Sequence, residues 1–186
     1  MTPYYYIMAQ LPALQAGVKA PLSYEKFLDL MESCASKSDY ALLQTISLVP
    51  PLGKEKTGVR FLDRWADYER SLRASLAKVR AEKLPWSLSR EDKARFDIEE
   101  ALDVKQIARE ACAIEDPLKA ELFLNTARIS AVEQIRGTAS FNRDALFAYA
   151  VTLLLKERAE NFNVEAGRSE YKAIYEKILE NENGKE

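Results

Sequence analysis

Hydrophobic residues recur at intervals of three and four along most of the chain, the spacing that predicts amphipathic helices. The longest such segment predicts a helix from Arg60 to Leu84. At about 100° of rotation per residue, its apolar side chains fall within roughly 80° of one another. They are Phe61, Trp65, Tyr68, Leu72, Leu76 and Val79. We expect this face to be buried and the charged residues around it to be solvated.

The first 22 residues are expected to be irregular. Pro12 and Pro21 stop any long element, because proline lacks the N–H that a helix interior requires. The apolar run at 4–8 is compatible with either a short strand or one helical turn, since periodicity does not separate the two over so few residues.

Two short helices are predicted next. Ser23 is a good N-cap for a first helix, whose apolar periodicity ends near Ser36. Asp39 is expected to cap a second helix that ends before Pro50. Serine and aspartate suit this position because their side-chain oxygens accept hydrogen bonds from the free N–H groups of a first turn.

Residues 49–58 are predicted to form a surface loop, because they combine two prolines, two glycines and three charges. Gly53-Lys54 invites comparison with a phosphate-binding loop. That motif requires a glycine where Leu48 stands and a serine or threonine where Glu55 stands. Without those groups, a solvated loop is the favoured interpretation.

Three further boundaries are marked by capping residues. Ser89, with Asp92 three residues later, is a variant capping box for a helix that runs to Ile114. Asp116-Pro117 then predicts the N-cap and first residue of a new helix, and Gly137 its C-terminal cap.

The next helix, capped by Ser140 or Asn142 and running to about Phe162, is apolar on all sides through Leu155. Such a helix is either central to the core or covered by a partner, and we expect it to be core. A final helix is predicted over 165–181, with apolar residues on one side.

Composition narrows the class further. The 186 residues suit one domain, and few glycines and prolines favour long helices, so we expect a single all-α domain, an elongated helical bundle over residues 1–186. Histidine is absent, which removes imidazole bases, His-dependent nucleophiles and His-ligated zinc. The net charge of −2 disfavours a dedicated nucleic-acid binder.

Cys34 and Cys112 are expected to be reduced and partly buried, since two thiols make no disulfide framework in a chain of this size. The N-terminus lacks the basic and apolar regions of a signal peptide. The longest apolar stretch, 145–155, is about half of the ~20 residues that a membrane span needs. We therefore expect a cytoplasmic protein.

Carboxylate clusters are the remaining place for catalysis. Glu99, Glu100 and Asp103 form one, and Glu157 and Glu160 form a second at i, i+3. Helical bundles that hold two metal ions complete such sets with histidine, and solvated helix ends explain these residues without a metal. We expect no cofactor, no metal and no enzymatic activity, with a carboxylate-based metal enzyme as a minor alternative.

Three segments together resemble an uncharacterised bacterial family encoded beside V/A-type ATPase subunits. They are the opening stretch 4–12, the stretch 21–27 and the closing run 146–163. The resemblance covers most of the chain and rests on pattern, with no catalytic signature.

A more distant similarity is to the all-helical protein of the V/A-type ATPase central stalk that caps the membrane rotor ring and receives the shaft. This ring-capping protein has a Glu-x-x-Leu-Asp pattern and a later apolar helix with a charged end. Segments 121–125 and 153–161 are similar to these, with Asn125 where the pattern has Asp. The chain is much shorter than the full ring-capping protein, so its expected fold resembles only part of it.

The resemblance implies a noncatalytic accessory or central-stalk subunit that couples the shaft to the membrane ring or aids assembly. Its partners would be other V/A-type ATPase subunits, and it would lie at the inner face of the cell membrane only through them. The residues that would contact a partner are Glu121, Arg128, Tyr149, Lys156, Glu157 and Arg158. The alternative is a free-standing helical adaptor or a homodimer that uses the apolar face of 145–155.

Overall fold

The computed structural model describes residues 4–15, 17–51, 56–82, 102–138, 140–162 and 164–183. These residues form eight helices and no strand, in agreement with the all-α prediction. The helices are α1 Tyr4–Gln10, α2 Tyr24–Cys34, α3 Lys37–Thr45, α4 Arg60–Glu82, α5 Leu102–Ala113, α6 Pro117–Arg136, α7 Arg143–Glu160 and α8 Val164–Asn183.

Helix starts follow the capping residues, with one correction. The side chains of Ser23, Asp116 and Asn142 each accept a backbone N–H from the first turn that follows. The N-cap of α3 is Ser36, whose hydroxyl accepts the N–H of Asp39 at 3.2 Å, so the prediction that Asp39 caps this helix is wrong. The Asp39 carboxylate is used elsewhere.

The N-terminal segment is less irregular than expected, because residues 4–10 form α1. Tyr4 is buried, and Ile7, Met8 and Leu11 pack against the same core cluster. Their spacing of three, four and seven residues from Tyr4 places them on one helical face. Contact with α7 stabilises a helix that is too short to persist by itself.

α7 is the central element of the core, as predicted. It contacts α1, α2, α4 and α6. Leu146, Phe147, Val151, Leu153 and Leu155 are fully buried. This apolar helix is therefore covered within its own chain, and a homodimer through the face of 145–155 stays a prediction.

The apolar face of α4 is buried as predicted, and it serves two hydrophobic clusters. Phe61 and Trp65 join the cluster around α7, whereas Leu72 and Leu76 pack with α5 and α6. The expectation that the charged residues of α4 are all solvated is wrong at Glu69, which is fully buried.

Several sequence predictions fall outside the described residues. These include the capping box at Ser89 and Asp92, the first half of the predicted helix up to residue 101, and Gly53, Lys54 and Glu55 of the 49–58 loop. In the part that is described, Cys34 is exposed and Cys112 is half-buried, so Cys34 departs from the expected partial burial.

α8 differs from the other long helices in its exposure, since every side chain from 167 to 177 is exposed. Three helical turns cover every direction around the axis, so the other described residues bury no face of this segment. Among the described residues, no helix is both long enough and apolar enough to cross a membrane.

Candidate functional site

A buried ion pair connects α4 with α6. The guanidinium of Arg128 donates from Nε to Glu69 Oε2 at 3.0 Å and from Nη2 to Glu69 Oε1 at 3.2 Å. Arg73, one turn along α4, donates from Nε to Glu69 Oε1 at 2.8 Å. Glu69 is fully buried and Arg128 is 4 % exposed, so water contributes little to solvating either charge.

Glu121 extends this pair to α7. Its Oε1 accepts from Arg128 Nη1 at 3.1 Å and also from Nη2 of Arg158. Burial lowers the pKa of Arg128, but the hydrogen bonds and charges of Glu69 and Glu121 outweigh it and raise that pKa above its ordinary value. Arg128 therefore stays charged, and its hydrogen bonds help to tie three helices together.

A second ion pair joins α3 to the start of α7. Arg143 donates from Nε to Asp39 Oδ1 at 2.8 Å and from Nη1 to the carbonyl oxygen of Gly58 at 3.1 Å. The hydroxyl of Tyr4 donates to Asp39 Oδ2. Burial raises the pKa of Asp39, but the hydrogen bonds from Arg143 and Tyr4 outweigh it and hold that pKa below its ordinary value.

The segment between α1 and α2 is fastened along α7 by polar side chains of that helix. Tyr149 donates its hydroxyl to the carbonyl oxygen of Pro12 at 3.0 Å. Lys156 donates from Nζ to the carbonyl oxygens of Gln15 and Val18 at 2.7 and 2.6 Å. Burial raises the pKa of Tyr149 to about 12, so its hydroxyl stays protonated at neutral pH.

The last turn of α7 holds the remainder of that segment. Glu157 Oε1 accepts the N–H of Tyr24, the first residue of α2. Glu160 Oε1 accepts the N–H of Ala20 at 2.6 Å, and its other oxygen lies 3.9 Å from Lys19 Nζ. The spacing of Glu157 and Glu160 at i, i+3 could have suggested a metal site, but both carboxylates accept hydrogen bonds from backbone N–H groups.

A cleft of about 630 Å³ lies between this fastened segment, α6 and the end of α7. Asn125 and Lys156 line it and are both more than nine-tenths buried. Leu122 and Ile129 contribute apolar surface. Its size matches pockets that take small molecules or a few residues of a peptide.

The six residues that were predicted to contact a partner all make contacts within the chain. Glu121, Arg128 and Arg158 belong to the ion network that connects α4, α6 and α7. Tyr149, Lys156 and Glu157 hold the segment between α1 and α2 against α7. Contact of any of them with another protein stays a prediction.

Glu69, Asp39, Arg143 and Asn125 are among the residues of these arrangements that were not identified as site residues from the sequence. Of these, only Glu69 has a sequence position that could have indicated burial. At about 100° per residue it lies roughly 20° beyond Leu76, at the edge of the apolar face of α4. Asp39, Arg143 and Asn125 become significant only through contacts with distant parts of the chain.

Two carboxylates of the first predicted cluster, Glu99 and Glu100, lie outside the described residues, and Asp103 is exposed. Across the ranges that the structure describes, no three His, Cys, Asp or Glu side chains come together in a way that could hold a metal ion.

Comparison of the chain with protein-family models, with curated proteins and with solved structures finds no match.

Proposed function

We propose that this chain is a noncatalytic interaction subunit of a bacterial V/A-type ATPase, the role that its sequence resemblance implies. In this role it couples the rotor shaft to the membrane ring or aids assembly of the complex. It lies at the inner face of the cell membrane through its partners, as a helical protein similar to the ring-capping protein of the central stalk but shorter.

The observation that supports an interaction role is the uncovered apolar face of α8. Tyr171, Ile174 and Tyr175 are 72, 58 and 52 % exposed. They lie at i, i+3 and i+4, so they share one face of the helix. The two tyrosine rings stack with centroids 6.3 Å apart.

Large apolar side chains that recur on one exposed helix face mark a surface for another protein. The matching occupant is an amphipathic helix of a partner protein in the ATPase, packed along α8 through its own apolar residues. Charged residues flank the face, among them Arg168, Glu170 and Lys172, and they suit a partner with complementary charge along the seam.

The ion network around Arg128 supports a mechanical role for α4, α6 and α7. Glu69, Arg128, Glu121 and Arg158 connect α4, α6 and α7 through consecutive charge-assisted hydrogen bonds. A connector that transmits force needs helices that do not slide past one another, and bonds of this kind are about twice as strong as neutral ones.

The test is capture of the ATPase from native cells by the tagged full-length chain. The variant Tyr171→Ser/Ile174→Ser/Tyr175→Ser removes the apolar face, whereas Ala173→Ser/Glu176→Ser alters the opposite side of the same helix. We expect the native chain and the second variant to retain ATPase subunits, and the first variant to lose them while keeping its helical circular dichroism.

Two results would contradict the proposal. One is that ATPase subunits fail to co-purify with the native chain. The other is that light scattering shows a stable dimer that the triple substitution converts to a monomer, because the face of α8 would then be occupied by a second copy. That result would favour the free-standing adaptor.

A further inference from the structure

The cleft between residues 17–19, α6 and α7 contains a buried amide oxygen with no hydrogen-bond partner among the described residues. Asn125 is 6 % exposed, and its Oδ1 is buried without a hydrogen bond in the described part of the chain. A buried carbonyl oxygen in this state loses its bonds to water and gains none in return. Because Asn125 lines the cleft, a ligand with an N–H or O–H donor would satisfy this oxygen.

The same cleft contains a buried cation. Lys156 is 7 % exposed, and its ammonium group donates to two carbonyl oxygens, those of Gln15 and Val18. Within the described ranges no carboxylate forms an ion pair with it. An ammonium carries three N–H donors, so one is left without an acceptor among the residues that the structure describes, and its charge favours an anionic acceptor.

Apolar side chains form one part of the remaining lining, which also includes Lys19, Glu133 and Glu160. Leu122 on α6 is 42 % exposed and Val18 across the cleft is 55 % exposed, and Ile129 lies along the same wall. These side chains would bury apolar surface against a ligand that reached both Asn125 and Lys156. Burial of that surface would add to affinity in proportion to its area.

We propose that this cleft binds a carboxylate that has an N–H donor beside it and an apolar side chain. The carboxylate accepts from Lys156, the N–H donates to Asn125 Oδ1, and the side chain packs on Leu122 and Ile129. An apolar α-amino acid residue has this chemistry, either as the free amino acid or as the last residue of a polypeptide. The inference rests on the cleft alone and does not depend on the ATPase assignment.

The test is titration of the isotope-labelled full-length chain, followed by amide chemical shifts in NMR spectra, with three probes. N-acetyl-L-leucine represents the end of a polypeptide, free L-leucine represents the amino acid, and N-acetyl-L-leucinamide lacks the carboxylate. We expect saturable shifts at Asn125, Ile129 and Lys156 with at least one of the two carboxylates, with a dissociation constant of about 1 mM or lower, and none with the amide.

The two carboxylates distinguish the sources. Tighter binding of N-acetyl-L-leucine supports a polypeptide C-terminus, and tighter binding of L-leucine supports the free amino acid. The inference is overturned if neither saturates by about 10 mM, or if the amide binds as tightly as the acids.

Variants test the assigned contacts. Asn125→Ala removes the unpaired carbonyl oxygen, and we expect binding to weaken about tenfold, the effect of one buried hydrogen bond. Ser130→Ala changes an exposed residue of the same cleft and should leave affinity unchanged. Unchanged affinity in Asn125→Ala, with circular dichroism showing a folded chain, would refute the role of this amide. Lys156→Met, checked the same way, should abolish the preference for acid over amide.

Discussion

Replacement of Arg128 by methionine is the sharpest perturbation of the ion network. It removes two hydrogen bonds to Glu69 and one to Glu121 while retaining most of the apolar length of the side chain. Glu69 remains fully buried, and among the described residues its remaining cationic partner is Arg73, whose side chain is 40 % exposed.

The expected cost follows from that geometry. Loss of one partner of a buried ion pair destabilises a protein by about 3–5 kcal/mol, because the remaining charge is left without compensation. The bond from Arg73 to Glu69 survives, so we expect the lower end, about 3 kcal/mol. Urea denaturation followed by far-ultraviolet circular dichroism measures this loss in the free energy of unfolding.

Two further variants show whether the cost arises from an unpaired buried charge. Glu69→Met/Arg128→Met removes both charges and should be more stable than Arg128→Met alone. Lys19→Met breaks a pair with Glu160 in which the lysine side chain is 84 % exposed, and we expect a change within about 0.5 kcal/mol. A loss below about 1 kcal/mol in Arg128→Met, or a double variant less stable than the single one, would refute the reasoning.

Three other outcomes follow from buried polar groups. Tyr68→Phe removes a buried hydroxyl that has no hydrogen-bond partner in the described part of the chain, so we expect urea denaturation to show a free energy of unfolding that is unchanged within about 0.5 kcal/mol or higher; a loss above about 1 kcal/mol would contradict this. Burial raises the pKa of Tyr68 and of Tyr149 to about 12. As pH rises, the unfolded chain releases these protons before the folded chain does. The free energy of unfolding should therefore fall as pH rises from about 10 towards 12. In urea titrations at a series of pH values, Tyr149→Phe should show a smaller decline. The pKa of Asp39 is held low by Arg143, so its contribution should be lost as pH falls below about 4, and an acid titration of Asp39→Asn that kept the same slope would contradict this assignment.

The helices could be predicted wherever a long period or a cap was present. α4 and α7 each extend over many turns, so their distribution of apolar residues is too regular to arise by chance. Asp116 and Asn142 were predicted as N-caps, and the structure confirms both. α1 could not be assigned, because the stretch 4–8 contains less than two turns. Its pattern emerges only when Leu11 is included, and contact with α7 supplies its stability.

The polar contacts could not be predicted to the same extent, because each depends on residues far apart in sequence. Asp39 looked like an N-cap by local chemistry, yet its carboxylate binds Arg143, and Ser36 supplies the cap. Lys156 and Glu157 looked like a solvated helix end. Only the return of the chain over α7 brings backbone carbonyl and N–H groups within their reach.

The most direct test of the central proposal is purification of the V/A-type ATPase from native cells through one of its catalytic subunits, followed by quantitative mass spectrometry. We predict that this chain is present in the intact assembly in a fixed ratio to the stalk subunits and survives a salt wash. Its absence from assemblies that retain their shaft and membrane ring would contradict the proposal.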